Sequence, residues 1–182
     1  MTVVPVPTAA AGPAVDFTQE PLWAYGYTTP PKPGETATPQ TAPSRNLRPN
    51  EDPNEQTRPR RVAGSSQTFS LVDIRDGSHV IDWFPEAHPP KPAVITTGPA
   101  AGTGNTKRGC ANCHLPHGRG RPENAPVSAL SIGYFIRQMQ DFRDGLRRTA
   151  DPRKPNTPTM IHLAQVSTDE EILEAAEYYA SI

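Results

Sequence analysis

The sequence predicts a mainly α-helical C-terminal part preceded by a long, irregular, proline-rich extension. Three observations carry that expectation. Of the 23 prolines among 182 residues, most precede Cys110, in runs such as Thr29-Pro30-Pro31-Lys32-Pro33 and His88-Pro89-Pro90-Lys91-Pro92. Proline removes amide donors and fixes an extended backbone, so this half cannot build much helix or central sheet. Beyond Cys110, Tyr134, Ile136, Met139, Phe142 and Leu146 recur near helical spacing, with Gly145 at the end. At the C-terminus, Ser167-Thr168-Asp169-Glu170 reads as a capping box. It opens a helix whose stripe is Ile172, Leu173, Ala176 and Tyr179.

Along the chain, Met1 to Ala14 is short, lacks a basic start and is broken by Pro5, Pro7 and Pro13, so it does not read as a complete signal peptide. Ala9-Ala10-Ala11 would suit the tail of a clipped one. Phe17 to Tyr27 is dense in aromatic and apolar residues: Phe17, Leu22, Trp23, Tyr25 and Tyr27. Residues from about Pro30 to Arg61 are polar, charged and nearly free of large apolar side chains, the composition of a loose linker. Two further apolar clusters follow, Phe69-Ser70-Leu71-Val72-Asp73-Ile74 and Val80-Ile81-Asp82-Trp83-Phe84. Their density suggests docking, either on a partner or, the favoured reading, on the C-terminal part of the same chain. His79 and His88 read as ordinary surface or turn residues. The boundary between extension (1–96) and C-terminal domain (97–182) falls where Thr97-Gly98-Pro99-Ala100-Ala101-Gly102-Thr103-Gly104-Asn105 argues for a loop.

Cys110-Ala-Asn-Cys113-His114 is the most informative stretch, because C-x-x-C-H is the attachment signature of a c-type haem. Two thiols one short turn apart reach the two vinyl groups on one porphyrin edge, and the next residue offers its imidazole to the iron as proximal ligand. Other readings are poorer. A thioredoxin-like dithiol needs a βαβ context. Zinc needs four spread ligands, and with two cysteines in the chain it would have to recruit histidines such as His117. A disulfide would close a very tight loop. For the distal position the chain has three methionines. Met1 is terminal and Met139 lies in a helical pattern. Met160 follows Pro155-Asn156-Thr157-Pro158-Thr159, which reads as a loop able to lay a thioether against the iron; His162 is the rival.

These features, in this order, resemble the class I c-type cytochromes of bacteria. The likeness runs from Cys110 to Ile182, less than half of the chain. It rests on C-x-x-C-H, the Gly118-Arg119-Gly120 stretch, Y-F-I-x-Q-M-x-D-F-x-x-G-x-R from Tyr134, M-x-x-L-A from Met160 and a closing helix ending Tyr178-Tyr179-Ala180-Ser181. The resemblance implies a small helical domain wrapped around one covalent haem c held by Cys110 and Cys113, with His114 proximal and Met160 distal. It also implies a proline carbonyl accepting the proximal imidazole's N–H, with Pro122 and Pro126 both suitably placed. The chain departs from the family before the motif: class I cytochromes normally carry a substantial helix there, whereas the glycines and proline of Thr97 to Asn105 leave only a short one.

The expected function is that of a non-enzymatic, single-haem electron carrier cycling between ferrous and ferric iron. Its redox partner proteins would be a dehydrogenase, an oxidase or another cytochrome, and the protein would be periplasmic or otherwise exported, since covalent haem attachment occurs outside the bacterial cytoplasm. The alternatives are a cytochrome subunit of a dehydrogenase or respiratory complex docked through its extension, and a haem sensor or enzyme with an open distal site. Net charge of −1 gives no global field for nucleic acid, and no run is apolar enough to span a membrane. Arg137, Arg143, Arg147, Arg148, Arg153 and Lys154 cluster between the central helix and the Met160 loop, where they either steer an acidic redox partner toward the haem edge or form a solvated helix face. Glu170, Glu171, Glu174 and Glu177 gather on the last helix.

Overall fold

The structure, a computed structural model, describes residues 51–150 and 154–182. The described chain is mainly helical: α1 (Pro53–Thr57), α2 (Leu71–Ile74), α3 (Ala93–Thr96), α4 (Ala111–His114), α5 (Ile132–Arg143), α6 (Asn156–Val166) and α7 (Asp169–Ala180). Short 3-10 turns occupy Pro85–Ala87 and Gly104–Thr106. The β pairing among the described residues is an isolated antiparallel bridge between Arg60 and Phe69. α5 packs on α6 and α7, α3 on α4 and α7, and α1 on α2.

The three long helices form because each buries one stripe. α5 begins where the Ser131 hydroxyl accepts from the Tyr134 amide, and it stops at Gly145, whose φ of +69° turns the chain away. Its buried face is Phe135, Met139 and Phe142. The expected stripe erred at both ends. Tyr134 is 43% exposed and Leu146 76% exposed. At about 100° per residue Tyr134 falls a full step off the row through 135, 139 and 142. Leu146 lies beyond the left-handed glycine and has left the helix.

α6 replaces the loop expected before Met160. Its two prolines do not oppose helix, because Pro155 is the cap and Pro158 sits in the first turn, where backbone amides have no partner inside the helix anyway. α7 begins one residue later than expected. Thr168, not Ser167, forms the capping box, with Glu171: the Thr168 amide donates to Glu171 Oε2 (2.9 Å) and the Glu171 amide to Thr168 Oγ1 (3.2 Å). Ser167 belongs to α6, where its hydroxyl donates to Leu163 O (2.8 Å). α7 buries Ile172, Ala175, Ala176, Tyr178 and Tyr179 and leaves Leu173 exposed, a second departure from the expected stripe.

The residues preceding the motif dock on these helices. Val94 and Ile95 of α3 belong to the same buried cluster as Phe135, Met139, Ile172 and Tyr179, so the core draws on both sides of position 96. Val80 packs against that cluster and its amide donates to Thr96 O (2.9 Å). Phe69 and Trp83 meet edge to face with centroids 4.9 Å apart. His88 is not a surface residue. Its side chain is 5% exposed, Nε2 lies 2.7 Å from Asp82 Oδ2, which also takes Lys91 Nζ, and its ring stands on Tyr178. An internal carboxylate and ammonium make that burial tolerable. His79 is exposed, as expected. The aromatic stretch Phe17–Tyr27 lies outside the described residues.

Candidate functional site

Two glycines bring the C-x-x-C-H segment against α3. A Cβ on Gly98, whose φ is +84°, would lie 2.4 Å from Arg108 O. On Gly109 it would lie 2.5 Å from both Ile95 O and Thr96 O. This close approach lets the Cys110 amide donate to Val94 O (3.1 Å). One helical turn follows, in which the amides of Cys113 (3.3 Å) and His114 (3.0 Å) both donate to Cys110 O. Positions i, i+3 and i+4 share a face of such a turn, which therefore carries Cys110, Cys113 and His114 together. Both cysteines are free thiols, and burial pushes that of Cys110 up to about 12.

The turn ends at Leu115, held at φ +65° and ψ 157°, a region that glycine alone occupies easily. The chain then folds back on the motif. The Gly120 amide donates to His114 O (2.8 Å) and the Arg121 amide to Cys113 O (3.1 Å). Gly120 lies directly on Asn124, where a Cβ would meet the Asn124 carbonyl at 2.5 Å. This turn aims the Ala125 carbonyl at His114, whose Nδ1 donates to it over 2.8 Å. Neither Pro122 nor Pro126 is the acceptor; the carbonyl belongs to the residue just before Pro126. Because a carbonyl can only accept, the proton sits on Nδ1, and the Nε2 lone pair has no hydrogen-bond partner among the described residues. Burial lowers the pKa of His114 against the opposing pull of Ala125 O, favouring the neutral donor.

α7 closes one side of the site. Tyr178 donates its hydroxyl to Pro116 O (2.7 Å), and the Ala129 amide donates to Tyr179 O (2.9 Å). Tyr179 is fully buried, stacks on Phe135 and stands edge-on to His114 at 6.5 Å between ring centroids. Burial and, next, the nearby Cys110 thiol push its phenol well above the ordinary value. Its hydroxyl is buried with no hydrogen-bond partner among the described residues, an expensive arrangement for a group that can donate.

Met160 is half-buried on α6 and packs against the core cluster, as does Cys110. His162 is exposed on α6, and His117 is exposed and accepts from the Arg119 amide. The basic residues divide. Arg143 is committed inside the fold: it donates to Ala164 O (3.1 Å), Ser167 O (3.0 Å) and Asp169 Oδ1 (2.7 Å). Arg147 lies over the Phe142 ring and bonds to Gln138, and Arg148 donates to Gly145 O. Arg153 lies outside the described residues. Of the acidic group, Glu171 accepts from the Ala100 amide (2.6 Å) besides capping α7.

Sequence reasoning missed three participants. Ala125 acts through its backbone and has no side-chain signature. Tyr179 was assigned to core packing alone. Asn156, whose side chain reaches the loop around His114, sits in a stretch that read as irregular. No protein-family model and no curated protein matches this chain.

Proposed function

We propose that this chain is an exported single-haem c-type cytochrome that carries electrons between redox partner proteins. The observation that carries the reading is His114, held by Ala125 O so that its neutral Nε2 is free, one residue from a free thiol and on one helical turn with a second. Cys110 and Cys113 would hold haem c through thioether bonds, His114 would be the proximal ligand and Met160 the distal one. The residues suit the group chemically. Free thiols at i and i+3 match covalent attachment, an imidazole and a thioether match a cytochrome donor pair, and the orphaned Tyr179 hydroxyl beside them has a hydrogen bond left to give. When bound, the haem supplies iron that alternates between ferrous and ferric states.

The chain's own work is positioning and exclusion. Ala125 orients the imidazole and raises its basicity as a ligand. Tyr179, Phe135 and the core around them keep water from that side of the site, which favours a low-dielectric environment and a fixed ligand set. Val80 and His88 are engaged by the chain's own helices α3 and α7, which supports a carrier over a subunit strapped to a complex through these two residues.

Haem staining of the denatured polypeptide after acid–acetone extraction tests the proposal. Stain should persist in the parent and vanish with Cys110→Ala and Cys113→Ala together. Extractable haem in the parent overturns covalent attachment. A five-coordinate reduced spectrum, in place of a low-spin one, would favour the open-site sensor instead.

A further inference from the structure

α6 is fastened at both ends, and the fastening at its start reaches the loop that holds His114. Asn156, the first residue of α6, donates through Nδ2 to Glu123 O (2.9 Å) and to Asn124 Oδ1 (2.7 Å). Those two residues directly precede Ala125, whose carbonyl accepts from His114. Met160 stands four residues after Asn156, so the two side chains share a face of α6. At the far end Arg143 of α5 takes the carbonyls of Ala164 and Ser167.

We propose that Asn156 is the positioning residue for Met160, tying the helix that bears the distal ligand to the loop that orients the proximal one. The inference rests on the function proposed above. A primary amide suits the task because both partners are acceptors and one NH2 group brings two hydrogens. Both bonds are partly buried, so water replaces them poorly. Aspartate in the same place would have no hydrogen for either acceptor. It would also set a negative charge beside the Glu123 carbonyl. Without the tie, α6 keeps its hydrophobic contacts but its first turn, and Met160 just beyond, can shift relative to the loop that carries Ala125.

Imidazole titration of the ferric, haem-loaded protein reads this directly, since imidazole competes with Met160 for the sixth position. Asn156→Ala should raise imidazole affinity about tenfold and weaken the methionine–iron absorption, with Asn156→Asp doing at least as much. Thr168→Ala, which uncaps α7, should lower the melting temperature and leave imidazole affinity within about twofold of the parent. Imidazole affinity of Asn156→Ala within about twofold of the parent would overturn the proposal, whatever its melting temperature. If that variant does not fold, Asn124→Ala removes one of the two bonds from the other side. It should raise affinity by about threefold, and no rise overturns the proposal equally. A parent with extractable haem, or without the methionine signature, overturns the functional reading and this inference together. An intact signature with unchanged variants rejects the inference alone.

Discussion

Replacing Ile95 with alanine tests whether the short helix before the motif belongs to the core of the C-terminal helical part. Ile95 is fully buried, in the cluster that also holds Val94, Ala176 and Tyr179. The change deletes three carbons, worth about 2.4 kcal/mol in transfer free energy alone. The hole cannot close easily. Cys110 is bonded to Val94 O, and Gly109 lies so close that even a Cβ would meet Ile95 O at 2.5 Å, so α3 is already at contact distance from the motif. A cavity term therefore adds to the transfer term, for a total of about 3–4 kcal/mol. That is a large share of the roughly 5–15 kcal/mol of an ordinary domain. Urea unfolding of the haem-loaded protein, followed by far-ultraviolet circular dichroism, measures it, with Ile95→Val as a graded partner expected to cost about 1 kcal/mol. A loss below about 1 kcal/mol for Ile95→Ala, at unchanged denaturant slope, would refute the argument. A chain beginning at residue 97 would lack Val94 and Ile95 and with them part of this core.

Met160→Ala should abolish the methionine–iron absorption and admit carbon monoxide or imidazole, while His162→Ala, on an exposed position, should leave the spectrum as it is; the opposite pattern would reverse the ligand assignment. Met139→Ala should cost about 2–5 kcal/mol in urea unfolding and preserve the spectrum, because Met139 is core on α5. Gly109→Ala forces a Cβ to 2.5 Å from two carbonyls and should cost about 3 kcal/mol and cut the yield of haem-loaded protein; a normal yield and stability would contradict the close approach of α3. At Asp82, burial alone would raise the carboxyl, but bonds from Lys91 and the Phe84 amide and the charges of Lys91 and His88 outweigh it and hold the pKa below the ordinary value. A depressed folded pKa adds stability above the unfolded value of about 3.9, and that stability is lost as pH falls through the folded one. Asp82→Asn should therefore destabilise the protein near neutrality by about 3 kcal/mol and much less at pH values below the folded pKa, as read by urea midpoints; an equal deficit at both would sink the assignment.

Much of the candidate site was legible because its motif is local. Cys110, Cys113 and His114 lie within a single short segment, and one helical turn suffices to put them on one face. α5 and α7 were also legible, since a periodic apolar stripe and an S/T-x-x-E cap are local signals. Their details were not. Ser167-x-x-Glu170 and Thr168-x-x-Glu171 satisfy the same pattern, and the end of α6 on Ser167 chose between them. The prolines at 155 and 158 read as loop until the position of the helix start showed that neither amide was needed.

The sequence by itself determined that two thiols and an imidazole fall on one short segment, that most of the prolines precede it, and where two of the long helices lie, because each of those depends on residues near one another in the chain. The tertiary structure alone decided the rest. It chose Ala125 as the acceptor for His114, since backbone carbonyls are chemically alike and only the fold aims one of them. It set Val94 and Ile95 in the core, buried His88 beside Asp82 and Lys91, left the Tyr179 hydroxyl without a partner among the described residues, and joined Asn156 to the loop around His114. Each of these is a contact between distant segments, which no local periodicity encodes and which packing selects only when the whole chain has closed.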